Sequence, residues 1–305
     1  MRNMSGEKTL LVIVGPTGVG KTEVSLRVAE RLGCPIVNAD SRQVYREIPI
    51  GTAAPTQDEQ RRVEHYFVGC KPVEEDYNAG QYERDVLDLL GRLFEQHQTV
   101  VLSGGSMLYV DAVCKGLDDI PPVDAEVREG LRREYAEKGL AWLQSETARL
   151  DPGYWVEVDR SNPQRLLHCL EVCRQTGSTL SAFRRKAVRE RPFKVVKIGL
   201  TRPREELYER INRRVEDMVA QGLEAEARAV YARRACNSLQ TVGYRELFAY
   251  MDGEYDLTRA VELIQQNSRR YAKRQLTWFR RDKEINWIDL SVLTVGQAVE
   301  AICNL

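Results

Sequence analysis

Thr9-Leu-Leu-Val-Ile-Val14-Gly15-Pro16-Thr17-Gly18-Val19-Gly20-Lys21-Thr22 is the stretch on which the fold turns. Its first six residues are almost all apolar and partly β-branched, as a strand buried on both faces requires. The next eight, Gly15 to Thr22, fit G-x-x-x-x-G-K-[ST] in full. A helical stripe follows at Val24, Val28 and Leu32, stopped by Gly33. Strand, glycine-rich turn and helix in that order make a phosphate-gripping loop. The glycines let successive N–H groups turn toward anionic oxygens, and the helix adds its positive end. Lys21 brings a mobile full charge, and the Thr22 hydroxyl can sit on a phosphate-bound Mg2+. A glycine-rich turn that binds nothing is the bland alternative, and the correct flanks argue against it.

Working outward, strand patterns recur at 35–38, ending in Ala39-Asp40-Ser41, and at 99–102, ending in Ser103-Gly-Gly-Ser106. Two more fall at 194–199 and 285–288. Helical patterns separate them at 82–96 and at 203–221, the latter with Leu207, Ile211, Val215 and Met218 as its buried stripe. The alternation predicts an α/β fold: a P-loop NTPase-like parallel sheet flanked by helices. Ligands of such sheets sit at the carboxyl ends of the strands, so Gly15, Asp40 and Ser103 are candidates for one shared site. The composition changes at Leu117-Asp-Asp-Ile-Pro-Pro122. From there to about residue 191 only helices are legible, the clearest opening at Asn162-Pro163 and closing at Gly177. The reading is a P-loop catalytic core at 1–117 and 192–305, with an all-helical insertion domain at 118–191.

Bulk properties exclude several classes. With 43% hydrophobic and 30% charged residues the chain is neither disordered nor fibrous. No apolar run approaches a membrane span, and the start MRNMSGEKT lacks the apolar core of a signal peptide. Seven dispersed cysteines without a C-x-x-C pair suit a reducing compartment, so a cytoplasmic location is expected. Cys169 and Cys173, with His168 adjacent, read as core packing. Net charge is zero, but the cations are segregated. The run 183–194 carries six cations and one anion, and 269–281 interleaves Tyr271, Trp278 and Phe279 with arginines and lysine. A polyanion with stackable bases fits such runs, and so does a solvated helix face. Tyr271 and Trp278, one heptad apart, read as core-facing.

Asp40 is the one well-placed acid near the loop, because the 99–102 strand ends without a carboxylate. As residue type alone has it, Asp40 could hold magnesium in a kinase, serve as a general base, or merely shape a turn.

The motif Asp40-Ser-Arg-Gln-Val-Tyr45, together with GPTGVGKT, resembles the tRNA dimethylallyltransferases, also called tRNA isopentenyltransferases. The likeness continues through Ile50-Gly-Thr-Ala53, Ser103-Gly-Gly-Ser-Met-Leu-Tyr109, Asn162-Pro-Gln-Arg-Leu166 with Leu170-Glu-Val172, Val242-Gly-Tyr-Arg245 and Tyr271-Ala-Lys-Arg-Gln-Leu-Thr-Trp-Phe-Arg280. It spans nearly the whole chain in order; Ser106 stands where the family often has Thr, keeping a hydroxyl. The resemblance implies transfer of a dimethylallyl group from dimethylallyl diphosphate to N6 of the adenosine 3′-adjacent to the anticodon in tRNA. By resemblance, Asp40 is the general base, and Thr17 and Arg214 are catalytic at the leaving group. The loop of Gly15, Pro16, Thr17, Gly18, Val19, Gly20, Lys21 and Thr22 is then the pyrophosphate cradle, with Thr22 at the metal. Asp40, Ser41, Arg42 and Gln43, then Ser106 and Arg128, match tRNA-contacting positions. So do Gln164, Arg165, Leu166, Leu167 and His168, and Gln240, Thr241, Val242, Gly243, Tyr244 and Arg245. The implied partners are the tRNA anticodon stem-loop and dimethylallyl diphosphate; no membrane is involved, and a monomer is expected. Mg2+ is the expected cofactor. The rival readings are a small-molecule P-loop kinase with Asp40 on magnesium, an RNA-binding module with a relict loop, and prenylation of a free adenylate.

Overall fold

Leu10, Val12 and Val14 of the first strand pack into one buried cluster and Leu11 and Ile13 into another, so this strand, β1 (Thr9–Val14), is covered on both faces. The computed structural model describes residues 7–184 and 189–305. The N-terminal reading at 1–6, and Arg185 and Lys186 of the first basic run, lie outside the described residues.

After β1 the loop turns directly into α1 (Lys21–Leu32), which Gly33 ends in the left-handed conformation at φ 60°. The buried face of α1 is Val24, Leu26, Val28 and Ala29, whereas Leu32 is exposed. Then come β2 (Ile36–Asn38), the single turn α2 (Pro49–Thr52), α3 (Gln57–Arg62), the two-residue β3 (His65–Tyr66) and α4 (Ala79–Gln96). Helix α4 starts three residues before the 82–96 pattern because Asn78 and Gln81 form a reciprocal cap there. Next are β4 (Thr99–Gly104), two residues longer than its apolar run, and α5 (Met107–Lys115).

The helical segment comprises α6 (Ala125–Leu150), α7 (Pro152–Glu157), α8 (Pro163–Thr176) and α9 (Leu180–Phe183). Gly139, at φ 75°, breaks α6 into two stretches. Asn162 and Gly177 cap α8 as the sequence reads. Leu131, Leu143, Leu166, Leu167 and Leu170 form the core of this segment. The chain returns to the sheet in β5 (Lys194–Thr201), followed by α10 (Arg204–Ala220), α11 (Leu223–Val230), α12 (Tyr244–Met251), α13 (Leu257–Phe279), β6 (Ile285–Asp289) and α14 (Val295–Cys303).

All six strands are parallel, in the order β3-β2-β4-β1-β5-β6. Strand β1 lies between β4 and β5, with Val14 opposite Gly104 and Gly199, so the polar strand ends of β1, β2 and β4 emerge side by side. The chain divides into two compact units, residues 1–114 with 190–305, and 115–189. The boundaries fall two or three residues before those read from composition, since α5 ends at Lys115 rather than at the acidic turn. Among the described residues no helix is long and apolar enough to cross a membrane.

Candidate active site

Between β1 and α1 the chain must turn in six residues, 15–20, and three glycines make that possible. Gly15, Gly18 and Gly20 have φ of 151°, 80° and 111°. A Cβ on Gly18 would lie 2.8 Å from the Ile211 side chain, and one on Gly15 would lie 2.7 Å from the Leu200 carbonyl. The loop is thus pressed against β5 and α10, which is why no larger residue fits. Lys21 Nζ donates to the carbonyls of Gly15 (2.9 Å) and Pro16 (3.0 Å). Burial, then the Arg214 charge, push the Lys21 ammonium down to about 8, with Asp40 opposing.

Helix α10 brings its arginines to the same loop. Arg214 Nη1 donates to Thr17 Oγ1 at 3.0 Å, and Arg210 Nε to the Gly18 carbonyl at 2.9 Å. Arg202, just before the helix, donates to the Val19 carbonyl at 3.0 Å. Burial lowers the Arg214 pKa, and Asp40 again opposes. One carboxylate therefore faces two cations that compete for its charge, a distribution suited to a polyanionic ligand between them. Met218 of α10 does not complete the buried stripe; it packs at the edge of the core and lines the cleft.

Asp40 follows β2 and accepts the Arg42 N–H at 2.9 Å, a local turn that leaves the rest of its carboxylate facing the cleft. The strand end is fixed from β4: Ala39 N donates to Ser103 O at 2.8 Å, and Ser106 N to Ala39 O at 3.1 Å. Ser106 Oγ accepts the Ser41 N–H at 2.8 Å and donates to Ser41 Oγ at 3.1 Å. Gln43 Nε2 donates to the carbonyls of Thr52 and Ala53, at 3.1 and 2.9 Å, the first of which also receives Arg214 Nη2 at 3.5 Å. The cleft is large, ≈ 2080 Å³, and Thr17, Lys21, Thr22, Asp40, Arg42, Gln43, Arg214, Gln240, Thr241, Val242 and Arg245 all line it.

The positions expected to contact tRNA fall in different settings. Tyr244 is fully buried with its hydroxyl on Glu226, so its side chain braces the cleft wall. Leu166 and Leu167 face the helical core, while Gln164, Arg165 and His168 occupy the exposed side of α8, since helical spacing divides these neighbours between two faces. Ser106 is 8% exposed and its hydroxyl is committed to Ser41. Arg128 and His168 both approach Glu171, at 3.8 and 3.7 Å.

Tyr271 is not a core residue: it lines the cleft, and burial, then Asp40, push its phenol up to about 12. Sequence reasoning passed over Gln275, whose side chain reaches Thr17 and Gly105, and Glu226, which accepts the N–H groups of Ile50 and Gly51 at 2.8 Å each. The available signal for Gln275 was a polar residue in phase with the buried stripe Ala272 and Phe279 of α13.

Among the described residues, one trio could hold a metal ion by proximity, Asp151, Cys169 and Cys173. Asp151 is already spent on capping: it accepts from Tyr154 N (2.9 Å), Ser181 N (2.8 Å) and Ser181 Oγ (2.7 Å). The cysteines pack against that cap.

A strand-loop-helix anion cradle at the carboxyl edge of a parallel sheet, facing a strand-end carboxylate, defines a P-loop enzyme. The family model described as IPP transferase matches residues 43–282. The chain is 57% identical over 280 residues to tRNA dimethylallyltransferase 1 of Bacteroides fragilis, covering 92% of this chain and 93% of that one. It is 47% identical to the tRNA dimethylallyltransferase of Cytophaga hutchinsonii, covering 94% of each. Among solved structures, the tRNA isopentenylpyrophosphate transferase of Bacillus halodurans superposes with a TM-score of 0.72 at 37% identity, over 98% of this chain and 95% of that one. A eukaryotic dimethylallyltransferase acting on tRNA shares the fold at 21% identity, with a TM-score of 0.78 over 96% of this chain and 78% of that one. The chain belongs to the IPP transferase family and is a transferase.

Proposed function

We propose that this enzyme transfers a dimethylallyl group from dimethylallyl diphosphate to N6 of the adenosine 3′-adjacent to the anticodon in tRNA, releasing diphosphate. The observation that carries the reading is that one cleft is lined both by Asp40 and by Lys21 and Arg214, the two cations held on the loop at Gly15, Pro16 and Thr17. The adenine amine is a weak nucleophile because its lone pair is delocalised into the ring. Asp40 accepts one N6 proton as the N6–C1 bond forms and the C1–O bond breaks. The electron pair of the broken bond leaves on diphosphate, where Lys21, Arg214, Thr17 and the loop N–H groups stabilise it.

Magnesium fits the donor set. Mg2+ commonly keeps several waters and takes one or two protein oxygens with the ligand's phosphates, and the Thr22 hydroxyl supplies such an oxygen on the cleft wall. When bound there it adds positive charge to the leaving diphosphate. The cleft-lining residues Arg42, Gln43, Gln240, Thr241 and Arg245 are suited to the flipped adenosine and its neighbours. On the helical unit, Arg128, Gln164, Arg165 and His168 are suited to the anticodon stem-loop. Among the described residues no disulfide joins the cysteines, which suits a reducing compartment such as the cytoplasm, and the enzyme is read as a monomer. The kinase reading is less well supported, because β4 ends in Ser103 and Gly104 and supplies no second acid for magnesium.

Incubation with labelled dimethylallyl diphosphate and unmodified tRNA tests the proposal. Label is expected in the N6-substituted adenosine of the digested tRNA; label that stays in the diphosphate ester, with ATP consumed instead, would point to the kinase.

A further inference from the structure

Gln275 stands out as a carboxamide that is 1% exposed and fully engaged at both ends. Its Oε1 accepts the Thr17 N–H at 2.8 Å, and its Nε2 donates to the Gly105 carbonyl at 2.9 Å. Thr17 belongs to the anion loop and receives Arg214 on its hydroxyl at 3.0 Å. Gly105 precedes Ser106, which holds the backbone N–H of Ser41, the residue after Asp40, at 2.8 Å. One side chain from α13 therefore ties the leaving-group side of the cleft to the proton-accepting side. There is no slack: a Cβ on Gly105 would lie 2.3 Å from Gln275 Nε2.

We propose that Gln275 is a positioning residue that fixes the separation between the diphosphate cradle and the strand end carrying Asp40. This rests on the transfer reaction proposed above. Only 1% exposed and with both polar atoms engaged, Gln275 acts through Thr17 and Gly105. Transfer demands that amine, allylic carbon and leaving oxygen stand in line, whereas each substrate can bind to its own half of the cleft. Loosening the bracket therefore lowers turnover and leaves binding in place. Misplacement of reacting groups by about 1 Å costs on the order of a hundredfold in rate.

The test compares the wild type with Gln275→Met, which keeps length and volume without either hydrogen bond. Gln275→Asn, one methylene too short to reach both partners, is the second variant should the first fail to fold. Label transfer by the wild type is established first, so that failure of the reaction assignment is seen separately. The expected result is kcat lower by about tenfold to a hundredfold, with affinities for inorganic diphosphate and unmodified tRNA each within about threefold of wild type. Unchanged kcat in a folded variant, or a loss that appears in either affinity instead, would overturn the assignment.

Discussion

At the scale of single residues, the proposed chemistry concentrates on Asp40, Lys21 and Arg214, which line one cleft. Asp40→Ala removes the proposed proton acceptor, together with the acceptor of the Arg42 N–H, while Lys21, Arg214 and the loop keep their own bonds. Turnover is expected to fall by on the order of a hundredfold or more, with tRNA affinity nearly unchanged; filter binding and single-turnover transfer measured together check both halves. Lys21 carries a pH dependence whose sign follows from its lowered pKa. Below about 8 the ammonium is charged and ready for the anion. Above it, binding must take up a proton, so diphosphate affinity is expected to weaken as pH rises toward the ordinary lysine value of 10.5. In the same window the unfolded chain holds more protons than the folded one, so the free enzyme gains stability from this group as pH rises. Calorimetric titration with inorganic diphosphate across that range reads the first trend; a flat profile would remove Lys21 from the cradle. The loop residues and Asp40 are legible in the sequence because their spacing is dictated by backbone geometry. Gln275 and Tyr271 are not, because they reach the cleft from a helix more than 200 residues further along the chain.

At the scale of elements, α10 shows how one stripe organises another. Leu207, Ile211 and Val215 bury one face, and the adjacent positions Arg210 and Arg214 are thereby aimed at the loop. That much follows from helical periodicity. The single turn α2 does not: it has no buried residue of its own and exists because Glu226 of α11 accepts its Ile50 and Gly51 N–H groups. Tyr244 closes the arrangement, and a Cβ on Gly51 would lie 2.4 Å from its hydroxyl. Glu226→Ala strands these donors, at about 1–3 kcal/mol for each that stays buried and unpaired. A lower melting temperature is expected, with transfer impaired because Thr52, the carbonyl shared by Gln43 and Arg214, loses its support. An unchanged melting curve would contradict this role for the carboxylate. The short β3 was equally illegible, since two residues cannot show a period.

At the scale of the whole molecule, a neutral chain is expected to bind a polyanion through local segregation of charge. Equilibrium tRNA affinity should therefore fall steeply between low and physiological salt, with a log–log slope that counts the phosphates engaged; a flat response would discredit the basic surfaces. The fold class and the run of helices between β4 and β5 were readable because strand and helix periods differ and that run has only one of them. The burial of Tyr244, Leu166 and Leu167 was not, because a motif shared with relatives does not say whether a position touches a ligand or supports one that does. The central claim is geometric: one carboxylate reaches the amine while one loop holds the departing anion. A crystal structure of the enzyme with an anticodon stem-loop and a non-reactive dimethylallyl diphosphate analogue measures it directly. The account requires Asp40 within about 3 Å of the adenine N6 and the diphosphate on the loop around Lys21; an N6 beyond the reach of Asp40, or a diphosphate bound elsewhere, would contradict it.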